Sequence, residues 1–327
     1  MKKLFIRFIA SLLVIFVSFV VYTYWDNNRI KVVEQEVMMN DLPSDLENFT
    51  IVQITDLHEK KFGKNQKRLV KKLNKIDYDV LVFTGDILDG VDSTNYGSVY
   101  AILEGINKKE NVLFVPGNAD PPSYELNPSF RKGEFVRGME DKGARFLESF
   151  DSIKKGNEEI TFVNFELAII EDPEKIGNIN GVFRQYYATE EAYQVYQSEL
   201  WEEMQATDIL NSADILIALN HYPVADVRFE YIKNDPATDL KNFDLIIAGH
   251  YHGGQIRLPF IGALFIPEPW YEPNGLFPPQ DRVKGLWEYN GIKQYVSAGL
   301  GSSESIEYLK FRLFNPPEIN ILTLKGS

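Results

Sequence analysis

The most constraining feature of this sequence is a short apolar segment, residues 244–248, that is followed directly by two histidines. The segment predicts a buried strand that ends at Gly249. His250 and His252 would then lie on the loop at its carboxyl end, the edge at which open α/β sheets form their binding sites. Paired histidines also occur as surface residues or as hydrogen-bonded core groups, so this motif alone does not define a site.

The same arrangement, an apolar strand that ends in polar residues, occurs at four more places in the chain. The predicted strands 49–54, 80–84, 112–115 and 215–219 each run into residue types that bind metals. Together the five strand ends carry Asp56, His58, Asp86, Asn118, His221, His250 and His252. The chain contains only four histidines, and all of them lie in this set. We interpret this convergence as a metal site at the edge of an α/β sheet.

Each of these residues also has an ordinary structural explanation. Asp86 would suit a helix N-cap, Asn118 a turn, and His221 a hydrogen-bonded core histidine. Their joint occurrence at strand ends favours the metal site. Carboxylate, imidazole and amide oxygen, without sulfur, suit Mn, Fe or Zn.

In order and spacing, the motifs D-x-H, G-D, G-N-x-D, H and G-H-x-H resemble those of the calcineurin-like metallophosphoesterase family. Further segments are similar to its membrane-associated bacterial branch of YkuE and YaeI type, which includes a UDP-2,3-diacylglucosamine pyrophosphatase type: FGKNQ from residue 62, GGQIRLPFIGALFIP from residue 253 and FNPPEI from residue 314. The resemblance covers residues 46–324. It implies an α/β fold with four layers, an α-β-β-α sandwich.

The resemblance also implies two divalent metal ions, which would be Mn, Zn or Fe. Carried over residue by residue, the first ion would be bound by Asp56, His58, Asp86 and His252. The second ion would share Asp86 and be bound also by Asn118, His221 and His250. Two such ions can clamp the attacking and leaving oxygens at phosphorus and supply a metal-bridging hydroxide as the nucleophile.

One position departs from the family pattern. The third motif usually carries a histidine that is thought to assist the leaving group, and this chain has Ala119 there. Loss of a general acid typically lowers a rate by about 10²- to 10⁴-fold. We predict weak turnover of poor leaving groups, with Asn118 and Asp120 as the candidate catalytic residues. Asp120 is the nearest replacement acid, or it orients a metal-binding histidine instead.

The N-terminal segment is mostly apolar from residue 4 to residue 25 and follows a basic start. Its length is roughly that needed to cross the hydrocarbon core of a bilayer, about 20 residues. A cleaved signal peptide is the alternative, but the bulky Tyr22, Tyr24 and Trp25 stand where small residues would mark a cleavage site. We predict an uncleaved, single-pass transmembrane anchor.

The basic residues before this anchor predict its orientation. Lys2, Lys3 and Arg7 would remain in the cytoplasm, which puts the catalytic domain outside it, in the cell envelope. The predicted domain organisation is a transmembrane anchor at 4–25, a polar linker at 26–36 and a metallophosphoesterase domain at 37–327.

Charge and composition exclude several classes of protein. A net charge of −13 argues against nucleic acid as the partner, because such proteins need a basic surface. The absence of cysteine excludes disulfides, a thiolate nucleophile and cysteine-type zinc sites. A hydrophobic content of 44% in 327 residues is ample for a packed core.

These observations predict a membrane-anchored hydrolase of a phosphoester or pyrophosphate bond, acting on a phosphorylated small molecule or a lipid-linked envelope substrate. The apolar segment 258–270, after the last metal motif, would suit a lipid contact or a packed strand and turn equally. The alternative function is a catalytically attenuated sensor of phosphate or nucleotide, which only Ala119 favours. The substrate, the native metal and the oligomeric state do not follow from the sequence.

A set of aromatic residues between 170 and 211 also has two interpretations. It would form either a helix core or a cradle for a ligand, and it consists of Tyr186, Tyr187, Tyr193, Tyr196 and Trp201.

Overall fold

The computed structural model describes residues 1–182, 184–303 and 310–327. Its helices are α1 (Lys2–Asn28), α2 (Lys67–Leu73), α3 (Gly97–Gly105), α4 (Glu134–Glu140), α5 (Phe165–Ala168), α6 (Glu191–Ala206), α7 (Ile209–Ser212) and α8 (Asp226–Asn234). Its strands are β1 (Lys31–Met39), β2 (Thr50–Ile54), β3 (Val80–Thr84), β4 (Val112–Val115), β5 (Tyr124–Glu125), β6 (Arg131–Lys132), β7 (Arg145–Phe146), β8 (Phe150–Lys155), β9 (Glu158–Asn164), β10 (Leu216–Leu219), β11 (Leu245–Ala248), β12 (Arg257–Leu258), β13 (Gly262–Ala263), β14 (Gly285–Tyr289), β15 (Ile292–Val296) and β16 (Glu318–Gly326).

Two six-stranded mixed sheets form the centre of the fold. The first has the strand order β1-β16-β2-β3-β4-β7, and the second has the order β14-β15-β11-β10-β9-β8. Strands β2, β3 and β4 are parallel to one another, as are β10 and β11. The five strands that precede the predicted metal ligands are therefore neighbours within their sheets and end at common edges.

Each sheet has one face against the other sheet and one against helices, because successive residues of a strand point to opposite faces. In β3, Val80 and Val82 pack between the two sheets together with Ile217 of β10. Leu81 and Phe83 of the same strand belong to the cluster that includes the buried residues of α2, α3 and α4.

The second sheet repeats this arrangement on its outer face. Leu216 and Ala218 of β10 pack with Phe229 and Ile232 of α8. The α/β fold with four layers, helices, sheet, sheet and helices, is thereby confirmed.

The segment 26–36, predicted as a polar linker, has a different structure. α1 continues to Asn28, and β1 begins at Lys31 and pairs in parallel with β16 along its whole length, from Lys31 beside Glu318 to Met39 beside Gly326. Glutamates and a glutamine give this stretch a polar composition because β1 is an edge strand with one exposed face, where charged side chains prevent further pairing. The folded domain therefore starts at β1 and not at residue 37.

Helix α1 is long and apolar enough to cross a membrane, and no other helix among the described residues meets both criteria; a signal sequence has the same properties. Its carboxyl end is fixed to the domain. The side chain of Asn27 exchanges two hydrogen bonds with the backbone of Arg312, of 2.6 and 2.7 Å. Phe19 and Tyr22 contact the ring of Phe314, with centroids 6.1 and 5.6 Å apart.

Candidate metal centre and substrate cleft

Sharp backbone turns after the strands point the predicted ligands towards one another. Asp56, His58, Asp86, His250 and His252 all have positive φ angles, between 43 and 65°. This left-handed conformation costs a non-glycine residue about 1 kcal/mol or more, and such strain is concentrated at functional sites. The surrounding fold therefore holds five of the seven predicted ligands in a strained backbone conformation.

The side chains form two groups that share one carboxylate. The ligand atoms of Asp56, His58, Asp86 and His252 lie within 4.8 Å of one another, and those of Asp86, His221 and His250 form the second group. Oδ2 of Asp86 lies 3.6 Å from Nε2 of His58 and 3.3 Å from Nε2 of His221. Asp86 therefore stands between the two groups.

Hydrogen bonds on their outer sides orient the histidines of the second group. Nδ1 of His221 lies 2.9 Å from the carbonyl oxygen of Thr84, and Nε2 of His250 lies 3.1 Å from that of Pro267. Carbonyl oxygens only accept, so these nitrogens carry the hydrogen. In the neutral rings, the other two nitrogens, Nε2 of His221 and Nδ1 of His250, then carry lone pairs and lie 3.0 Å apart. Oδ1 of Asn118 lies 3.1 Å from the same Nε2 of His221. Converging acceptors of this kind fit a divalent cation.

The nearby carboxylates favour a proton on His221 over the neutral ring that a cation needs. Burial opposes a charge on His221, but Asp86 and Asp56 outweigh it and raise its pKa to about 9. Burial and the neighbouring His221 lower the pKa of His250 to about 3. Because a metal must displace the proton from His221, metal binding weakens as the pH falls.

Three residues outside the predicted set support the first group of ligands, namely Asp89, Arg312 and Asn315. Oδ1 of Asp89 lies 3.3 Å from Nδ1 of His58, which leaves Nε2 of that ring to face the metal group. The carbonyl of His252 accepts hydrogen bonds from Arg312, at 2.9 Å, and from Asn315, at 2.7 Å. Asn315 lies in the FNPPEI segment, so the family resemblance was the one available signal for it.

Asp120 does not line the cleft and is 1% exposed. Its Oδ1 accepts hydrogen bonds from the backbone N–H groups of Ile87 and Leu88, both at 2.9 Å, and its Oδ2 accepts one from Gly117, also at 2.9 Å. With both oxygens occupied, the carboxylate braces the loop that carries Asp86. This geometry gives no support to the predicted role of Asp120 as a proton donor.

Four members of the ligand groups line a cleft of about 220 Å³, to which Asn118 and Ala119 also contribute: His58, Asp86, His250 and His252. Two larger cavities meet this cleft. The first cavity, of about 390 Å³, is lined in part by two of the predicted metal ligands, Asn118 and His221, and we call it the tyrosine pocket. The second, of about 600 Å³, shares His58 and lies against α1, and we call it the helix groove.

The aromatic set between 170 and 211 divides between its two predicted roles. Tyr187 and Tyr193 line the tyrosine pocket and pack edge-on against Tyr124, with ring centroids 5.5 Å apart in both pairs. Trp201 packs instead against the helix core, and its Nε1 donates to the carbonyl of Ile170. One part of the set therefore forms a cavity wall, and another part is core.

Segment 258–270, predicted as either a lipid contact or a packed strand and turn, has both exposed and buried apolar residues. Phe260 is fully exposed and Ile261 is 53% exposed, at the tip of the hairpin formed by β12 and β13. Ala263 and Ile266 are buried in the core. The carbonyl of Pro267 bonds to His250, so the same segment also completes the metal centre.

Comparison with known proteins gives a family match and several distant relatives. The model described as calcineurin-like phosphoesterase matches residues 49–254. The chain is 24% identical to the metallophosphoesterase YkuE of Bacillus subtilis, over 93% of this chain and 88% of that protein. It is 28% identical to the metallophosphoesterase Cj0846 of Campylobacter jejuni, over 99% and 72%.

A third relative has a named activity. The UDP-2,3-diacylglucosamine pyrophosphatase LpxG of Chlamydia muridarum is 23% identical, over 85% of this chain and 84% of that protein. Among solved structures, the phosphopantetheinyl hydrolase PptH of Mycobacterium tuberculosis is 15% identical, covers 78% of this chain and 91% of its own, and has a TM-score of 0.41.

Proposed function

The chain belongs to the calcineurin-like phosphoesterase family and is a hydrolase of phosphoesters; from this premise we propose a membrane-anchored enzyme with two metal ions that acts on a lipid-linked or envelope phosphate. The observation that carries the proposal is the position of Asp86, whose Oδ2 is shared between His58 and His221. A single-metal site would not require a carboxylate between two groups of ligands.

Two divalent cations held by these groups would neutralise charge at phosphorus and activate a water molecule for attack. The side chains of the chain itself hold and orient that centre. His221 and His250 are fixed by backbone carbonyls, and the backbone N–H of His250 donates a hydrogen bond shared by both carboxylate oxygens of Asp56, each at 3.1 Å. The described residues that line the cleft include no lysine or arginine, so phosphate binding there depends on the cations.

The surroundings of the cleft support a substrate with an apolar part and a ring-containing part. The tyrosine pocket offers aromatic walls beside Asn118 and His221, and α1 is long and apolar enough to hold the domain at a membrane. LpxG is named for a substrate, UDP-2,3-diacylglucosamine, that joins acyl groups to a nucleotide through a pyrophosphate. We propose a substrate of the same general class for this chain.

A substrate screen tests the proposal. Metal-stripped protein receives Mn²⁺, Zn²⁺, Fe²⁺ or Mg²⁺ separately and is offered lipid phosphates, nucleotide-linked pyrophosphates and aryl phosphates. We expect release of phosphate or nucleotide from one of these classes with at least one metal. Binding of phosphate compounds without turnover under every metal would favour the sensor instead.

The membrane topology gives a separate prediction. If α1 is an uncleaved anchor with its basic start in the cytoplasm, the mature protein retains Met1 or Lys2 and partitions with membranes. Protease added to intact spheroplasts should digest the catalytic domain. A mature chain that starts near Asp26 would show a secreted protein, and protection from the protease would reverse the orientation.

A further inference from the structure

The helix groove connects α1 with the metal centre. Its volume of about 600 Å³ is typical of ligand sites, which span roughly 300–1,000 Å³. Phe16, Phe19 and Val20 of α1 line one wall, and Phe311 lines the other. The groove reaches His58, one of the proposed metal ligands, which also lines the cleft, so the two cavities are adjacent.

The apolar wall lies in the part of α1 that would be inside a bilayer. The domain residue Phe314 contacts α1 at Phe19 and Tyr22. A bridge between Ile256 and Leu313 joins this region to the β12–β13 hairpin, whose exposed tip is also apolar. Exposed apolar surface of this kind marks a contact with a membrane or a partner. The domain therefore carries exposed apolar residues in segments that are connected to α1 beside the groove.

We propose that the helix groove binds the hydrocarbon chain of a lipid phosphate while the phosphate group lies at the metal centre; this rests on the proposed hydrolase function. The chain of the lipid would stay beside α1, in contact with the membrane, and only the head group would enter the cleft. The apolar groove and the metal cleft at its His58 end match the two ends of a lipid phosphate.

Two adjacent valines provide a matched pair of variants. Val20 lines the groove and Val21 does not, although the two side chains are similarly exposed, at 49% and 61%. Successive residues of a helix point about 100° apart, so Val20→Trp fills the groove and Val21→Trp adds the same bulk elsewhere. Both changes keep the membrane segment apolar.

Alkylphosphonates, from methyl to decyl, serve as probes because their phosphorus–carbon bond is not hydrolysed by phosphoesterase chemistry. Binding is measured by calorimetry on the full-length, metal-loaded protein in lipid nanodiscs. Burial of a methylene is worth about 0.8 kcal/mol, which corresponds to an affinity gain of up to about fourfold for each added methylene. We expect Val20→Trp to weaken binding of decylphosphonate by at least about tenfold and to leave methylphosphonate unchanged, whereas Val21→Trp matches the parent.

Two results would contradict binding of the hydrocarbon chain in the groove. One is an affinity that does not depend on chain length. The other is an equal loss of decylphosphonate affinity in both variants, which would indicate simple partition of the probe into the bilayer. The outcome is separable from the proposed function. Chain-dependent binding that only Val20→Trp removes, without hydrolysis of any phosphoester, would retain the groove and reject the hydrolase. Hydrolysis of a phosphoester together with an affinity that is independent of chain length would retain the hydrolase and reject the groove.

Discussion

The Asp86→Asn variant should hold neither metal ion tightly and should lose about 10³-fold or more in kcat/KM. Its carboxylate lies between Nε2 of His58 and Nε2 of His221, so loss of its charge affects both groups of ligands. Stabilisation of transition-state charge by a metal is worth several kcal/mol, and each 1.36 kcal/mol is about a tenfold change in rate. Asparagine keeps the size of the side chain and can still accept the 2.7 Å hydrogen bond from Ala119 N–H, so the loop should be retained.

Elemental analysis of the dialysed protein counts the ions per chain, and thermal unfolding checks the fold. Asp89→Asn is the comparison variant because His58 is the one predicted ligand that Asp89 contacts, at its outer nitrogen, while the other oxygen of Asp89 pairs with Lys310. Partners of this kind typically change metal affinity by about 10- to 100-fold, so this variant should still bind both ions at high metal concentration. One ion retained tightly by Asp86→Asn would show that the carboxylate is not shared.

The strands that carry the ligands could be predicted closely from the sequence. The predicted bounds 80–84 and 112–115 coincide with β3 and β4, and residues 245–248 of the predicted segment form β11. Short apolar runs that end at glycine are strong local signals for buried strands. Because parallel strands end at one edge, the same signals also predicted that Asp86 and the histidines would meet.

Other features depend on contacts between distant parts of the chain. β1 was missed because its polar composition becomes explicable only once it pairs with β16, almost 300 residues away. Arg312 lies outside every motif, yet it is fully buried and bonds to the carbonyl of His252. Such partners have no local pattern in the sequence.

Asp120 illustrates a second limit. It follows a strand in the same manner as the ligands, but its carboxylate turns towards the backbone N–H groups of Ile87, Leu88 and Gly117. The direction of a side chain on a loop is set by the loop conformation and not by residue type. The sequence pattern therefore does not distinguish a metal ligand from a carboxylate that holds a loop through backbone hydrogen bonds.

The parent enzyme should hydrolyse aryl esters far better than alkyl esters, because the described residues that line the cleft include no acid placed to protonate the leaving group. Ala119 lines it in place of the usual histidine, and Asp120 is fully bonded elsewhere. Asp89 also lines the cleft; burial acts to raise its pKa, but the neighbouring His58 and Lys310 outweigh this and lower it, which favours the ionised form. A leaving group of low pKa needs no protonation, whereas an alkoxide does.

Ala119→His should restore the missing proton donor. We expect the rate for alkyl phosphates to rise by about 10²-fold, with little change for aryl phosphates, since general acids typically contribute about 10²- to 10⁴-fold. The gain should disappear as the pH rises above the pKa of the new imidazole, because only its protonated form donates. Ala119→Gln is the matched control, with similar bulk and no titrating proton, and metal content should stay constant in both variants. A parent whose rate does not depend on leaving-group pKa, with the chemical step rate-limiting, would mean that another acid already serves.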